Sequence, residues 1–355
     1  MSEQPNASPT PATWEQRWHP LREEWVLFTA HRGGRPWNGE LKRPDTGAAP
    51  SYDPTCALCP GNARLGGTNP AYTGVHWFTN DLPCFGPEAP QWGDDDDDLY
   101  LRRPATGTAE VVCYHPDHGR TLAELTAAEV RAVVDLWTER TGVLAAHPEV
   151  AQVLIFENKG SAVGTSNPHP HCQIYAGGLV YGHLAREVES GRRHHARTGG
   201  FLGQAILDRE LAGPRLIASN ADFVACVPWF ARYAYEVFVL PRRQVSSLTD
   251  LSAAERQGLA DMLREVAIRY DNLWRMPMPY VMAVHQAPCD GGDHHTFPFH
   301  VEFHPPLRTP DTLKYLAGPE VGGGSMTNES NPDEKAAELR AAAGPHHAAA
   351  RGDAP

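Results

Sequence analysis

The chain has 355 residues, of which 41% are hydrophobic, and a formal net charge of −12. That length suits two domains of ordinary size, and the acidic balance excludes a general nucleic-acid-binding surface while leaving room for a local basic pocket that takes phosphates. Glycine and proline, 32 each, make the chain loop-rich, and its seven dispersed cysteines suit a reducing compartment, with one close pair, Cys56 and Cys59, that invites a metal more than a disulfide.

Residues 1–12 are mostly Pro, Ser, Thr and Ala and read as a disordered tail. They hold no basic segment followed by an apolar one, so no signal peptide is expected. No apolar run approaches the roughly 18 residues of a membrane span. These features lead to the expectation of a cytoplasmic protein with neither membrane nor nucleic-acid partners. The acidic run Asp94–Asp98 reads as a solvated loop, because like charges in sequence repel and stay hydrated.

The chain then repeats itself. EVVCYHPDHGRTLAELTAAE runs from Glu110 to Glu129, and EVFVLPRRQVSSLTDLSAAE from Glu236 to Glu255. Each copy is a β-branched strand, a proline-containing turn, an L-x-x-L segment and a helix start. Thr126-Ala-Ala-Glu129 and Ser252-Ala-Ala-Glu255 are capping boxes and predict helix N-termini. Val130, Val133, Val134 and Trp137 then recur at helical spacing, as do Leu259, Met262, Leu263, Val266 and Tyr270. A second strand follows each helix, at Val150–Gly160 and Tyr280–Pro288, and each copy ends in a histidine-rich strand, His169–Ala176 and His300–His304. The fold class is therefore α+β, with two tandem domains, each an antiparallel sheet packed with helices. The N-terminal domain is placed at 13–178 and the C-terminal one at 179–343. Residues 344–355 read as a second disordered tail.

The sharpest chemical signal is Gly164–Gln173, GTSNPHPHCQ. In an extended strand, side chains two residues apart share a face, so His169, His171 and Gln173 are expected on one side. Pro168 and Pro170 stiffen that backbone. A neutral imidazole, with an unperturbed pKa of ~6.5, can attack phosphorus near neutral pH. A glutamine amide beside it can donate to phosphoryl oxygens as charge develops there.

This string resembles the active-site signature of the galactose-1-phosphate uridylyltransferase family, a branch of the histidine-triad superfamily. His31–Trp37, Cys56–Arg64, Phe78–Pro83, His115–Leu122, Phe156–Gly160 and His304–Arg308 also resemble family blocks, in family order, and the likeness spans roughly residues 17–320. It implies two tandem histidine-triad-like domains. It implies a ping-pong reaction in which UDP-glucose gives its uridylyl group to His171 and releases glucose 1-phosphate, and galactose 1-phosphate then takes that group to give UDP-galactose. By the same match, Arg32 and Arg35 meet phosphates, and Asn80 and Asp81 hold the uridine. Asn158, Ser166 and Gln173 contact the transferred or sugar phosphate, and Lys314 and Tyr315 close over the sugar phosphate. Arginine suits phosphate through its bidentate fork.

Cys56-x-x-Cys59 alone could be redox-active or accidental. The family's zinc-bearing members use the positions matching Cys56, Cys59, His118 and His169, which implies a structural zinc with His169 as a ligand and not a catalyst. A second site, for iron or zinc, is implied at Glu187, His285, His300 and Glu302, although the family pattern expects His where Glu302 stands. The likeness weakens further at Cys172 beside the nucleophile, which reads as a packing residue, and at Pro319 and Gly322–Asn331, in the stretch that reads the sugar. Another sugar 1-phosphate or an adenylyl donor is therefore the competing reading. Hydrolases of the superfamily carry a third histidine where Gln173 stands, which favours transfer over hydrolysis. A homodimer whose partner chain completes the sugar-phosphate site is also implied.

Overall fold

The structure is a computed structural model and describes residues 14–30, 49–90 and 99–349. The tail 1–12, the acidic run 94–98, the candidate phosphate contacts Arg32 and Arg35, and residues 350–355 lie outside the described residues.

The first half contains the hairpin β1 (Trp14–His19) and β2 (Glu24–Thr29), and the short pair β3 (Ala63–Arg64) and β4 (Gly67–Thr68). It continues through β5 (His76–Thr79), β6 (Gly107–Cys113), α1 (Ala127–Ala145), β7 (Gln152–Lys159) and β8 (His171–Gly177). The second half opens with α2 (Gly182–Thr198) and α3 (Leu202–Leu211). It then runs through β9 (Leu216–Ser219), β10 (Phe223–Cys226), β11 (Val237–Pro241), α4 (Ala253–Trp274), β12 (Tyr280–His285) and β13 (His300–His304). It ends in β14 (Leu307–Thr309), β15 (Thr312–Leu313), β16 (Thr327–Asn328) and α5 (Pro332–Ala341).

Both expected capping boxes form. The Thr126 side chain accepts from the Glu129 amide and the Ser252 side chain from the Glu255 amide, and both glutamates reach back to the cap backbone. The apolar positions spaced at three and four residues on α1 and α4 are buried, Trp137 among them. Each such side chain contributes about 1.5–3 kcal/mol of transfer free energy.

The two antiparallel half-sheets are joined edge to edge into one nine-stranded sheet, β5-β6-β8-β7-β12-β13-β11-β10-β9. The order mirrors itself about the β7–β12 pair, where Met282 lies across from Glu157 and Val284 across from Ile155. One core runs beneath α1 and α4 across both halves, with Ile155, Cys172, Ile174, Met282, Val284, Val301 and Phe303 on the same side of the sheet. The seam carries buried polar groups. Glu157 accepts from the Tyr114 and Tyr280 hydroxyls at 3.1 and 3.2 Å, and the Lys159 ammonium sits on Asp271 at 2.8 Å. Burial pushes the Glu157 carboxyl up to about 7.

The opposite side is covered differently in the two halves. Over the second half, α3 and the turn between β1 and β2 pack on Val224, Cys226, Phe238 and Leu240. Over the first half, Leu58, Cys56 and Cys59 cover Val111 and Cys113 of β6. The β7–β8 portion, with His171, Gln173 and Tyr175, stays half-buried.

The C-terminal tail expected at 344–355 needs correction over 344–349. There His347 donates its backbone N–H to Asn272 at 2.7 Å, Asn272 donates to the Pro345 carbonyl, and His346 meets Asp271. Polar groups at the end of α4 hold the segment, so its lack of apolar residues was a poor guide.

Candidate active site

The strand β7 ends at Lys159, and the turn into β8 is bracketed by Gly160 and Gly164 at φ of 91° and 82°, backbone that favours glycine. A Cβ on Gly160 would also lie 2.9 Å from that of Pro279. Thr165 ties the turn back by donating its hydroxyl to the Asn158 carbonyl, and the Asn167 side-chain oxygen accepts from the His169 amide at 3.0 Å.

The expected shared face is revised at its first member. Regular strand begins at His171, and His169 sits in the bend before it, fully buried. Alternation then holds: His171, Gln173 and Tyr175 are half-buried on one side, Cys172, Ile174 and Ala176 buried on the other. Cys172 accepts the Trp137 indole N–H at 3.2 Å, and burial pushes its thiol up. It is a packing residue turned away from His171, as the sequence implied.

The His171 ring is fixed by a 2.7 Å contact between Nδ1 and the His169 carbonyl oxygen. A carbonyl only accepts, so Nδ1 carries the proton and Nε2 presents its lone pair. Burial lowers the pKa of this imidazole, partly offset by that hydrogen bond, which keeps it neutral near pH 7. The Tyr175 hydroxyl donates to the Gln173 amide oxygen at 3.1 Å, so the amide N–H groups remain as donors. Phe156 lies across from Gln173 in the β7–β8 register, and continuing that register by two places sets Asn158 across from His171. Ser166 is exposed in the preceding turn.

Other expected contacts lie further out. Asn80 follows β5 and accepts the Leu82 amide at 3.0 Å. Asp81 is ion-paired with Arg64, whose guanidinium lies 4.3 Å over the Phe78 ring. Lys314 donates to Glu320 at 3.1 Å and to the Thr327 carbonyl, and burial lowers its pKa. Tyr315 is 47% exposed.

Two groups of four buried side chains match the expected metal ligands, and within each the ligand atoms all lie within 4.8 Å of one another. The first, Cys56, Cys59, His118 and His169, fits a tetrahedral ion. Cys59 Sγ stands 3.5 Å from Nδ1 of both His118 and His169. Bond lengths to zinc of 2.3 Å for sulfur and 2.0–2.1 Å for nitrogen give a tetrahedral edge of about 3.5 Å. His169 Nε2 lies 2.9 Å from the His115 carbonyl and so carries the proton, which leaves Nδ1 for a ligand bond. Burial brings His169 down to about 4, hence neutral. The Leu58 amide donates to Cys56 Sγ at 3.3 Å, support suited to a thiolate.

The second group, Glu187, His285, His300 and Glu302, fits an ion less well. His285 Nδ1 lies 3.0 and 2.9 Å from the two Glu187 oxygens, and His300 Nε2 lies 3.0 Å from Glu302. These are hydrogen-bond lengths, and Glu302 also carries the guanidinium of Arg22.

Sequence reasoning missed several supporting residues. Arg22 sits in a turn with no motif around it, and Tyr175 acts through a hydroxyl on a strand residue that reads as plain β. His115 contributes only its carbonyl to His169, although it lies in the family-like block His115–Leu122.

A two-half α+β fold whose H-P-H-x-Q strand presents an oriented imidazole beside a cysteine–histidine cluster defines a tandem histidine-triad-like protein. Residues 8–180 match the model of the galactose-1-phosphate uridyl transferase N-terminal domain, and residues 187–351 that of the C-terminal domain. The chain is 36% identical to a galactose-1-phosphate uridylyltransferase of Haemophilus influenzae, over 94% of this chain and 95% of that one. It is also 36% identical to the Rattus norvegicus protein of the same name, over 91% and 86%. A solved uridylyltransferase structure superposes with a TM-score of 0.75 at 28% identity, covering 92% of this chain and 97% of that one. The chain belongs to the galactose-1-phosphate uridylyltransferase family. An ADP-glucose phosphorylase from Arabidopsis thaliana with bound ADP-glucose shares the fold, with a TM-score of 0.73 at 19% identity over 92% of this chain and 97% of that one. Among the described residues no helix is long and apolar enough to cross a membrane.

Proposed function

We propose that the chain exchanges a uridylyl group between UDP-glucose and galactose 1-phosphate through a covalent intermediate on His171. The observation that carries this reading is the 2.7 Å contact from Nδ1 to the His169 carbonyl, which directs the lone pair of Nε2 outward on the half-buried face. Nε2 attacks the α-phosphorus of UDP-glucose. The P–O bond to the β-phosphate breaks, and glucose 1-phosphate leaves with the electron pair. The positive charge arising on the imidazole is stabilised by the His169 carbonyl. A phosphate oxygen of galactose 1-phosphate then attacks the same phosphorus, releasing His171 and UDP-galactose. Splitting one displacement into two lets one pocket serve both sugar phosphates.

Gln173 and Ser166 supply neutral donors to the equatorial phosphoryl oxygens, and Asn158, across from His171, supplies another. Arg32 and Arg35 are assigned to the phosphates, Asn80 and Asp81 to the uridine, and Lys314 and Tyr315 to the sugar phosphate of a homodimeric, cytoplasmic enzyme. A zinc ion held by Cys56, Cys59, His118 and His169 has a structural task, bracing the bend that sets the His169 carbonyl.

Isotope exchange tests the first half-reaction. With UDP-glucose and labelled glucose 1-phosphate alone, label is expected to enter UDP-glucose, and ADP-glucose is expected to give none. Exchange that requires galactose 1-phosphate would exclude the covalent intermediate.

A further inference from the structure

The second group of four buried ligand-type residues differs from the first in the atoms that fill it. In the first, sulfur and nitrogen stand 3.5 Å apart, the edge of a tetrahedron around an ion. In the second, ring nitrogens and carboxylate oxygens approach to 2.9–3.0 Å. A tetrahedral ion would hold such atoms about 3.3 Å apart, whereas 2.9–3.0 Å is the ordinary length of an N–H···O hydrogen bond. His285 faces carboxylates at both ring nitrogens, Glu187 from Nδ1 and Glu302 from Nε2 at 3.4 Å.

Glu302 Oε2 is already occupied by donors. It receives the Arg22 guanidinium and His304 Nε2 at 2.8 Å, with Arg232 Nη2 at 3.8 Å. Arg22 is 1% exposed and Glu302 fully buried, so water screens little of this field. Two guanidiniums, which stay charged at any working pH, already stand beside the carboxylate to which a divalent ion would add two further charges.

We propose that in this chain the Glu187–His285–His300–Glu302 cluster binds no metal and is a buried ion-pair network, with Glu302 committed to the Arg22 guanidinium instead of to an ion. The arrangement gives Glu302 a reason to stand where the family pattern has an imidazole. A carboxylate answers an arginine, and an imidazole does not. The network also has a structural consequence. Arg22 lies in the turn between β1 and β2 and Glu302 in the middle of β13, so the pair pins the N-terminal hairpin to the second half.

Metal counting by plasma mass spectrometry tests this independently of any uridylyl transfer. The full-length protein, expressed with zinc and iron supplied and then desalted, is expected to carry one equivalent of metal per chain. That equivalent should persist in Glu187→Gln and vanish in Cys59→Ser. Two equivalents in the unaltered protein, or an equivalent lost on Glu187→Gln, would overturn the proposal. The double variant Arg22→Met/Glu302→His removes the guanidinium and restores an imidazole. It is expected to gain an equivalent, and a folded double variant that stays at one would overturn the role given to Arg22.

Discussion

The hydroxyl of Tyr175 separates two ways in which Gln173 could serve the reaction. It donates to the Gln173 amide oxygen at 3.1 Å and so decides which end of the amide meets the phosphoryl group. Tyr175→Phe removes that anchor and leaves the amide in place. A neutral hydrogen bond contributes about 1 kcal/mol, which corresponds to roughly 5-fold in rate. Gln173→Ala removes the donor itself, and loss of one donor to a developing oxyanion costs about 10²–10³-fold. Rapid-quench measurement of glucose 1-phosphate released from UDP-glucose in a single turnover reads both. The two variants should differ by at least an order of magnitude, with Tyr175→Phe the milder. Equal losses, or a Gln173→Ala enzyme within about 5-fold of the parent, would refute the assignment of Gln173 as a transition-state donor.

Further predictions concern stability. Glu157 titrates near 7 in the folded chain against an ordinary value of 4.5, so the fold binds its proton more tightly than the unfolded chain does. Its contribution, on the order of 3 kcal/mol, is complete below about 4.5 and is lost as the pH rises through 7. Urea denaturation across that window should show stability falling with pH, and Glu157→Gln should flatten the slope. Arg140 holds Glu110 in a buried two-point pair at 3.0 and 2.7 Å. Arg140→Met should cost about 3–5 kcal/mol, read as a lowered Tm, because it strands a buried carboxylate. Thr126→Ala and Ser252→Ala should each cost about 1 kcal/mol in the same denaturation assay. A strong chelator should lower the Tm of the parent protein, and Cys59→Ser should start from that lower Tm and respond no further.

The sequence made the local features of the fold legible. The two capping boxes mark helix starts because a short polar side chain three residues before a glutamate satisfies orphan amides wherever it occurs. The strand carrying His171 was readable because its residue types have few other uses in that order. The join at β7–β12 was not readable: residues such as Glu157 and Met282 pair across more than a hundred positions, and either edge could have faced solvent or another strand. The place of His169 was half-read. Its role as a ligand is implied by the resemblance, yet strand periodicity puts it on the His171 face, and the bend that turns it towards Cys59 rests on a distant contact with the His115 carbonyl together with a local hydrogen bond to Asn167. Glu302 stands out in the sequence as a departure from the family pattern, but its partner Arg22 lies 280 residues away in the chain and carries no local signature.

The central claim is that His171 becomes covalently uridylylated. Intact-protein mass spectrometry after mixing the enzyme with UDP-glucose alone tests it most directly. The account predicts a stoichiometric uridylyl adduct, mapped to His171 and absent in His171→Ala, with an equal amount of glucose 1-phosphate released. An enzyme that turns over UDP-glucose and galactose 1-phosphate yet forms no adduct, or a His171→Gln variant that keeps its rate, would contradict it.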